Sequence, residues 1–347
     1  MRLCNLVVVG LALVALALPA AAAIPPRYLQ PVKAVARTSI DVPYPGGTAL
    51  FPVYASADWQ HPLPDITRVV IIFHGLLRNA DSYFKAGLEA QQAAGPAGDS
   101  TLILAPQFLA DFDLPAHGMP AATLGWTYDQ WARGAPARTP APLSGYDAVD
   151  AILAHLADRT LFPKLSTVVV AGFSAGAQVV QRYAVVGRGE EALSHAGIAT
   201  RYVVSDPSTF LYFDVARPLP ASGTCAKVDA WHYGFSADVP PYVQGTPAAL
   251  EARYAGRNVT YLMGMDDTDL NHPVLDKSCG AETQGPQRFA RGHAYFAMMQ
   301  ARHGAALRQR LIDVPGIAHE GGRMFNSACG LAALFGKPGC AELDQGR

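Results

Sequence analysis

The 347-residue sequence predicts an α/β fold, a mostly parallel sheet with helices on both faces and an antiparallel hairpin at its N-terminal edge. Three observations lead there. Short apolar runs rich in β-branched residues recur along the chain: ITRVVIIF (66–73), TLILAP (101–106) and a run over 165–173 with VVVAGF at its end. Such runs fit strands buried on both faces. Segments of helical periodicity alternate with them, which implies parallel strands joined by crossover helices. Half of the residues are hydrophobic and 16% are charged, enough apolar surface for a sizeable core.

Taken in order, residues 34–42 and 48–54 read as two strands around the turn residues Pro45, Gly46 and Gly47. The buried strands 66–73 and 101–106 follow. Residues 144–158 read as a helix, because Ser144 and Asp147 form a capping-box start and Val149, Ile152, Leu153 and Leu156 share a stripe. Strand 165–173 leads into a helix over 178–186. Strands are expected at 201–205, 258–264 and 311–315, and helices at 286–302 and 324–335. Two stretches, 111–143 and 207–257, hold Pro, Gly and aromatics rather than periodic residues. Irregular segments of that length are functional, lid-like, or surface packing.

The formal net charge is −1, with 27 basic and 28 acidic residues. That excludes a polybasic nucleic-acid binder and gives no field for anionic lipids. At the N-terminus, Arg2 precedes the unbroken apolar run LVVVGLALVALAL (6–18), then Pro19 and the small residues Ala20 to Ala23. This is the order of a cleaved signal peptide over 1–23, with export to the periplasm or medium and no membrane attachment afterwards. Cys4 precedes the apolar run, so no lipid anchor is read. Removing it leaves Cys225, Cys279, Cys329 and Cys340, an even set that favours two disulfides in an exported protein. Neighbouring pairs close the shorter loops, so Cys225–Cys279 and Cys329–Cys340 are expected. No Cys-x-x-Cys pair points to a redox or zinc site. The length allows two domains, but no repeat or low-complexity linker divides the chain, so 24–347 is read as one domain.

Gly172-Phe173-Ser174-Ala175-Gly176 matches G-x-S-x-G where a buried strand ends and a helix begins. A serine there stands on a tight turn, and the flanking glycines remove side-chain clashes. The helix N-terminus offers free N–H groups to a developing oxyanion. A free hydroxyl is a poor nucleophile and needs a base. Six histidines follow Ser174, and His319 alone lies just beyond the last strand. His293 and His303 fall on a helix, His232 and His272 in loops, and His195 has no strand before it. The acid is expected after the strand 258–264, in Met265-Asp266-Asp267-Thr268-Asp269. Asp267 is chosen there, with Asp266 and Asp269 as neighbours and Asp206, after the preceding strand, as the rival. The backbone donors are expected at Ala175 and Leu76, and His74 is read as orienting that loop.

Together the pieces HGLLRNADSYF (74–84), AGFSAGAQVVQRYA (171–184), YLMGMDDT (261–268) and VPGIAHEGGRMF (314–325) resemble the α/β-hydrolase superfamily. Within it the chain looks like secreted esterases and polyester-depolymerase-like hydrolases. In that resemblance the G-x-x-D pattern falls on Gly264 and Asp267, which supports Asp267 over its neighbours, and the oxyanion loop falls on His74-Gly75-Leu76. Two departures stand out: Phe173 replaces the His often found before the nucleophile, and Asp206-Pro207-Ser208 stands where Asn-Pro-Ser is expected. The resemblance implies a secreted serine hydrolase of small or polymeric carboxylic esters, with Ser174, His319 and Asp267 as triad and no metal or cofactor required. Trp126, Tyr128, Trp131, Trp231 and Tyr233 are candidate substrate contacts, since aromatics offer large contact area. The same triad would also serve C–C cleavage of a β-diketone or amide hydrolysis. A non-catalytic binding protein on this scaffold would be expected to lack a triad member.

Overall fold

The alternation of buried runs and helices is realised as an eight-stranded sheet in the computed structural model, which describes residues 25–221 and 223–344. The expected leader over 1–23 lies outside the described residues. The strands are β1 (Ser39–Tyr44), β2 (Gly47–Ala55), β3 (Arg68–Phe73), β4 (Thr101–Pro106), β5 (Thr167–Phe173), β6 (Ala199–Ser205), β7 (Val259–Gly264) and β8 (Gln309–Val314). Their spatial order is β1-β2-β4-β3-β5-β6-β7-β8. The pairs β1–β2 and β2–β4 are antiparallel, and every other pair is parallel. The carboxyl ends of β3, β5, β6, β7 and β8 therefore share one rim.

Successive side chains of the central strands enter opposite cores. Val69, Ile71, Val168, Val170 and Val204 pack in one apolar cluster, and Val70, Ile72, Val169, Ala171 and Val203 in the other. That is the two-faced burial an apolar β-branched run requires. Helix Gly145–Leu156 starts as its sequence demands. The Ser144 side chain accepts from the backbone N–H of Tyr146, and the Asp147 carboxylate accepts the Ser144 N–H at 2.9 Å. Both disulfides form as expected, Cys225–Cys279 and Cys329–Cys340.

Several expectations are corrected. Residues 34–38 are not strand. Gln107 ties them instead, its amide accepting the Ala36 N–H at 3.0 Å and donating to the Ala34 carbonyl at 2.9 Å. The helix expected at 178 begins at Ala175. The single helix expected over 324–335 is two, Gly321–Asn326 and Ala328–Phe335. Ser327 between them is extended and caps the second through the Gly330 N–H. Helix Ala80–Ala94 escaped the periodicity reading. Its Gly87 faces the sheet, where a Cβ would meet Ile72 and Ile103 side chains at 2.8 and 2.9 Å. A glycine on the buried face thus blanks the apolar stripe. Within 207–257, residues Pro247–Ala255 are helical, capped by the Thr246 side chain with Pro at the first position.

A buried ion pair fastens the N-terminal segment across the rim. The Arg78 guanidinium donates to Asp113 at 2.7 and 3.2 Å, to the Tyr28 carbonyl at 3.0 Å and to the Gln30 carbonyl at 2.8 Å. Asp113 also accepts the N–H groups of Val32 and Ala110. Removing one partner strands a buried charge. Asp113→Ala is expected to destabilise the fold by about 3–5 kcal/mol, read from urea unfolding. A loss under about 1 kcal/mol would show the clamp to be dispensable.

Candidate active site

The sharp turn after β5 is enforced by close packing. A Cβ on Gly172 would lie 2.4 Å from the Gly176 carbonyl carbon, and one on Gly176 would lie 2.3 Å from the Phe73 carbonyl oxygen. Neither position tolerates a side chain, so the helix Ala175–Val186 can begin one residue after the serine. Ser174 takes φ 57° and ψ −119°, a conformation non-glycine residues hold only where the surroundings over-determine it. Its N–H donates to the Ser205 carbonyl at 3.0 Å and its carbonyl accepts the Gln178 N–H at 3.1 Å.

The loops after β7 and β8 are stitched together. The Met265 N–H donates to the Val314 carbonyl at 3.1 Å and the Asp266 N–H to the Ile317 carbonyl at 3.0 Å. A Cβ on Gly264 would meet that Ile317 oxygen at 2.5 Å, so glycine is needed for the approach. The stitching brings Asp267 and His319 over the serine. The Ser174 hydroxyl donates to His319 Nε2 at 2.9 Å, and His319 Nδ1–H donates to Asp267 Oδ2 at 2.6 Å. The tautomer follows from the carboxylate, which can only accept.

Asp267 is nearly fully buried. Its other oxygen accepts from Arg288 at 3.2 Å. Burial would raise its pKa, but the His319 hydrogen bond and the charges of His319 and Arg288 outweigh it and hold the carboxyl below the usual range. His319 is lowered from its ordinary value by burial and by the Arg288 charge, against the opposing pull of Asp267. The imidazole is therefore neutral at neutral pH. Arg288 also donates to His272 Nδ1 at 3.2 Å. The His272 ring stands 4.8 Å from that of His319, its pKa pushed down to about 4 by burial and by Arg288.

Asp206, the rival acid, is fully buried but turned elsewhere: its Oδ1 accepts the Gly264 N–H at 3.0 Å. Burial and the neighbouring Asp267 charge raise its pKa well above the ordinary carboxylate value. Asp266 and Asp269 have no bond to His319; Asp269 accepts the Asn271 N–H in its own turn. His293 and His303 pair with Asp313 and Glu251 away from the serine. His74 is buried and neutral, pushed down to about 4 by burial. Its Nδ1 donates to the Gly75 carbonyl at 2.8 Å and its Nε2 accepts the Phe108 N–H at 3.0 Å. It braces the loop carrying Leu76. Leu76 and Ala175 both line the cavity that holds Ser174. Among the described residues neither N–H has a hydrogen-bond partner.

Ser174, Leu76 and Val274 stand where two cavities meet. One, of about 230 Å3, runs under His319, His272 and Tyr28. The other, of about 500 Å3, passes Gln178, Ser208 and His232. A third, of about 750 Å3, continues from it past the shared residues Arg133, His232, Tyr233 and Ser278. The five aromatics divide between these walls and the core. Tyr128 and Tyr233 line the 500 Å3 cavity, and Trp231 lines the 750 Å3 one. Trp126 and Trp131 are corrected to core residues: both are 0% exposed and pack on Phe108, leaving no surface for a ligand. The Cys225–Cys279 bridge ties residues 207–257 to the wall of the 750 Å3 cavity, where Cys279 stands. Arg288, the part of Asp206 as a buried neighbour of Asp267 and the nearness of His272 were missed by sequence reasoning. No spacing ties Arg288 to Asp267, so no signal could have found that pair.

Among the described residues no group of three or more His, Cys, Asp or Glu side chains is placed to hold a metal ion, and no helix is long and apolar enough to cross a membrane. No protein-family profile matches the sequence, and no curated protein does. Solved structures do. LpqC, a poly(3-hydroxybutyrate) depolymerase from Bordetella parapertussis, superposes with a TM-score of 0.61 at 23% identity, over 90% of this chain and 95% of that one. Poly(aspartic acid) hydrolase-1 from Sphingomonas sp. KT-1 superposes with a TM-score of 0.56 at 21% identity, over 84% of this chain and 96% of that one. The strand order, the turn after β5 and these likenesses lead to one conclusion: the chain has the α/β-hydrolase fold.

Proposed function

We propose that the protein is a serine hydrolase that cleaves carboxylic esters through an acyl-enzyme. The observation that carries this reading is the unbroken hydrogen-bond path from Ser174 through His319 to Asp267. In the proposed reaction the Ser174 oxygen attacks the ester carbonyl while its proton passes to His319 Nε2. Asp267 steadies the imidazolium, and the N–H groups of Leu76 and Ala175 receive the oxyanion. Collapse breaks the carbonyl–alkoxy bond, and His319 gives its proton to the departing alcohol. Water, deprotonated by the same nitrogen, then attacks the acyl-enzyme and releases the acid and free serine.

The chain of cavities on both sides of Ser174 supports a substrate with substantial groups on each side of the scissile bond, as in an oligomeric or polymeric ester. One structural neighbour is a poly(3-hydroxybutyrate) depolymerase and another a hydrolase of poly(aspartic acid), in keeping with polymeric carbonyl substrates. Two disulfides support an exported protein.

A fluorophosphonate probe is expected to label the wild type stoichiometrically and to leave Ser174→Ala unlabelled. His319→Ala should lower p-nitrophenyl ester turnover by about 10^4-fold or more. Full turnover in either variant would sink the reading. Asp267→Asn should lose about 10^4-fold as well, whereas Asp206→Asn should stay within a few-fold, because the amide oxygen can still accept the Gly264 N–H. The reverse order of losses would make Asp206 the acid.

The pH profile follows from His319. Its pKa is lowered, so the active neutral form persists below the ordinary histidine range and kcat/KM should fall only under pH 6.5. Arg288→Met removes a charge that lowers this pKa, so the acid limb should move to higher pH. An unmoved limb would show that Arg288 does not tune the base.

A further inference from the structure

The cavity beside Ser174 is lined with polar side chains, and nearly all of them are engaged. Gln178 accepts from Arg182 and Thr209, Asp129 pairs with Arg133, and the Tyr233 hydroxyl donates to Asp276 at 2.7 Å with Ser278 at 2.6 Å. Two stand apart among the described residues: the Tyr128 hydroxyl, buried without a hydrogen-bond partner, and the His232 ring, which sits deeper along the cavity chain. His232 is 5% exposed and lines both the 500 Å3 and the 750 Å3 spaces, at the neck where they meet. Among the described residues its ring makes no hydrogen bond at ordinary distance, and Asp276 engages it only loosely. Asp276 Oδ2 lies 3.9 Å from Nε2, outside hydrogen-bond distance. A buried polar group without a partner is costly unless something entering the site supplies one.

The charge state narrows what that something is. Burial and the Arg182 guanidinium push the imidazole down to about 3, so it is neutral at any working pH. A neutral imidazole offers one N–H donor and one acceptor and does not select an anion. Its place in the reaction follows from proton traffic. The departing alcohol must lie against His319, which returns the proton, and His319 lines the 230 Å3 cavity. The acyl half is left to the 500 Å3 cavity, where His232 stands.

We infer that His232 is a specificity-determining residue that hydrogen-bonds a hydroxyl or carbonyl oxygen on the acyl chain, so the preferred substrates are esters of oxygen-bearing acids rather than plain fatty acids. This rests on the acyl-enzyme reading of Ser174. The aromatic ring of Tyr233, 4.2 Å from the imidazole and fixed at its hydroxyl, holds His232 in place.

The test uses ester pairs that differ only in that oxygen: p-nitrophenyl 3-hydroxybutyrate against butyrate, and 6-hydroxyhexanoate against hexanoate. Leaving group and chain length cancel within each pair. In the disulfide-intact wild type, kcat/KM should favour the hydroxylated member of at least one pair by about fivefold, the effect of one neutral hydrogen bond. In His232→Phe the ratio should fall to about one, with the change in KM, and His232→Asn should restore part of it. A wild-type ratio near one in both pairs overturns the inference without recourse to any variant, and so does an unchanged ratio in His232→Phe. Failure of the underlying reading looks different: neither member of either pair is hydrolysed, and the fluorophosphonate does not label Ser174.

Discussion

The arrangement at the rim of the sheet depends on one buried carboxylate. Asp267 is shared between a guanidinium on one oxygen and an imidazole on the other. An ion taken out of water needs both kinds of partner, a charge to offset its desolvation and hydrogen bonds to occupy its lone pairs. Arg288 supplies the first from a helix that packs outside the sheet, and His319 contributes to the second from the loop after β8. The geometry of the proposed triad is thus a property of three separate elements meeting on one anion. Asp206 beside it belongs to the same balance, since its pKa is raised by burial and by the Asp267 charge while Arg288 pulls against both.

That balance explains what could and could not be read from the chain. The turn at Ser174 was legible because it needs a local pattern: glycines two residues away on either side, a buried strand before and a helix after. His319 and Asp267 were legible because strand ends mark the rim, and only a few titratable residues follow the last two strands. The β5 and β4 runs were legible because both of their faces are buried. Arg288 was not, since its partner is 21 residues away in sequence and joined only through tertiary packing. Helix Ala80–Ala94 was hidden by the close approach that makes Gly87 necessary. The aromatics of 111–143 show the limit from the other side: Trp126 and Trp131 look like contact residues in sequence, and burial decides that they are core.

Phe173, which departs from the resemblance, has a physical place. Its ring sits 4.7 Å from the His319 ring. An apolar neighbour there adds to the desolvation that lowers the imidazole pKa, and it brings no second titrating group beside the base. Gly321 lies against the same ring, where a Cβ would come within 3.0 Å. The loop after β8 therefore closes on an aromatic floor.

The clamp made by Arg78 and Asp113 has a consequence for how the polypeptide can be handled. Pro25 borders the 500 Å3 cavity, and Arg27 and Tyr28 border the smaller one beneath His319. The start of the described chain is thereby pinned at the mouth of the cleft, within the space a substrate must enter. A substitution that loosened Arg78 or Asp113 would therefore disturb the entrance to the cleft together with the anchoring of the segment that borders it.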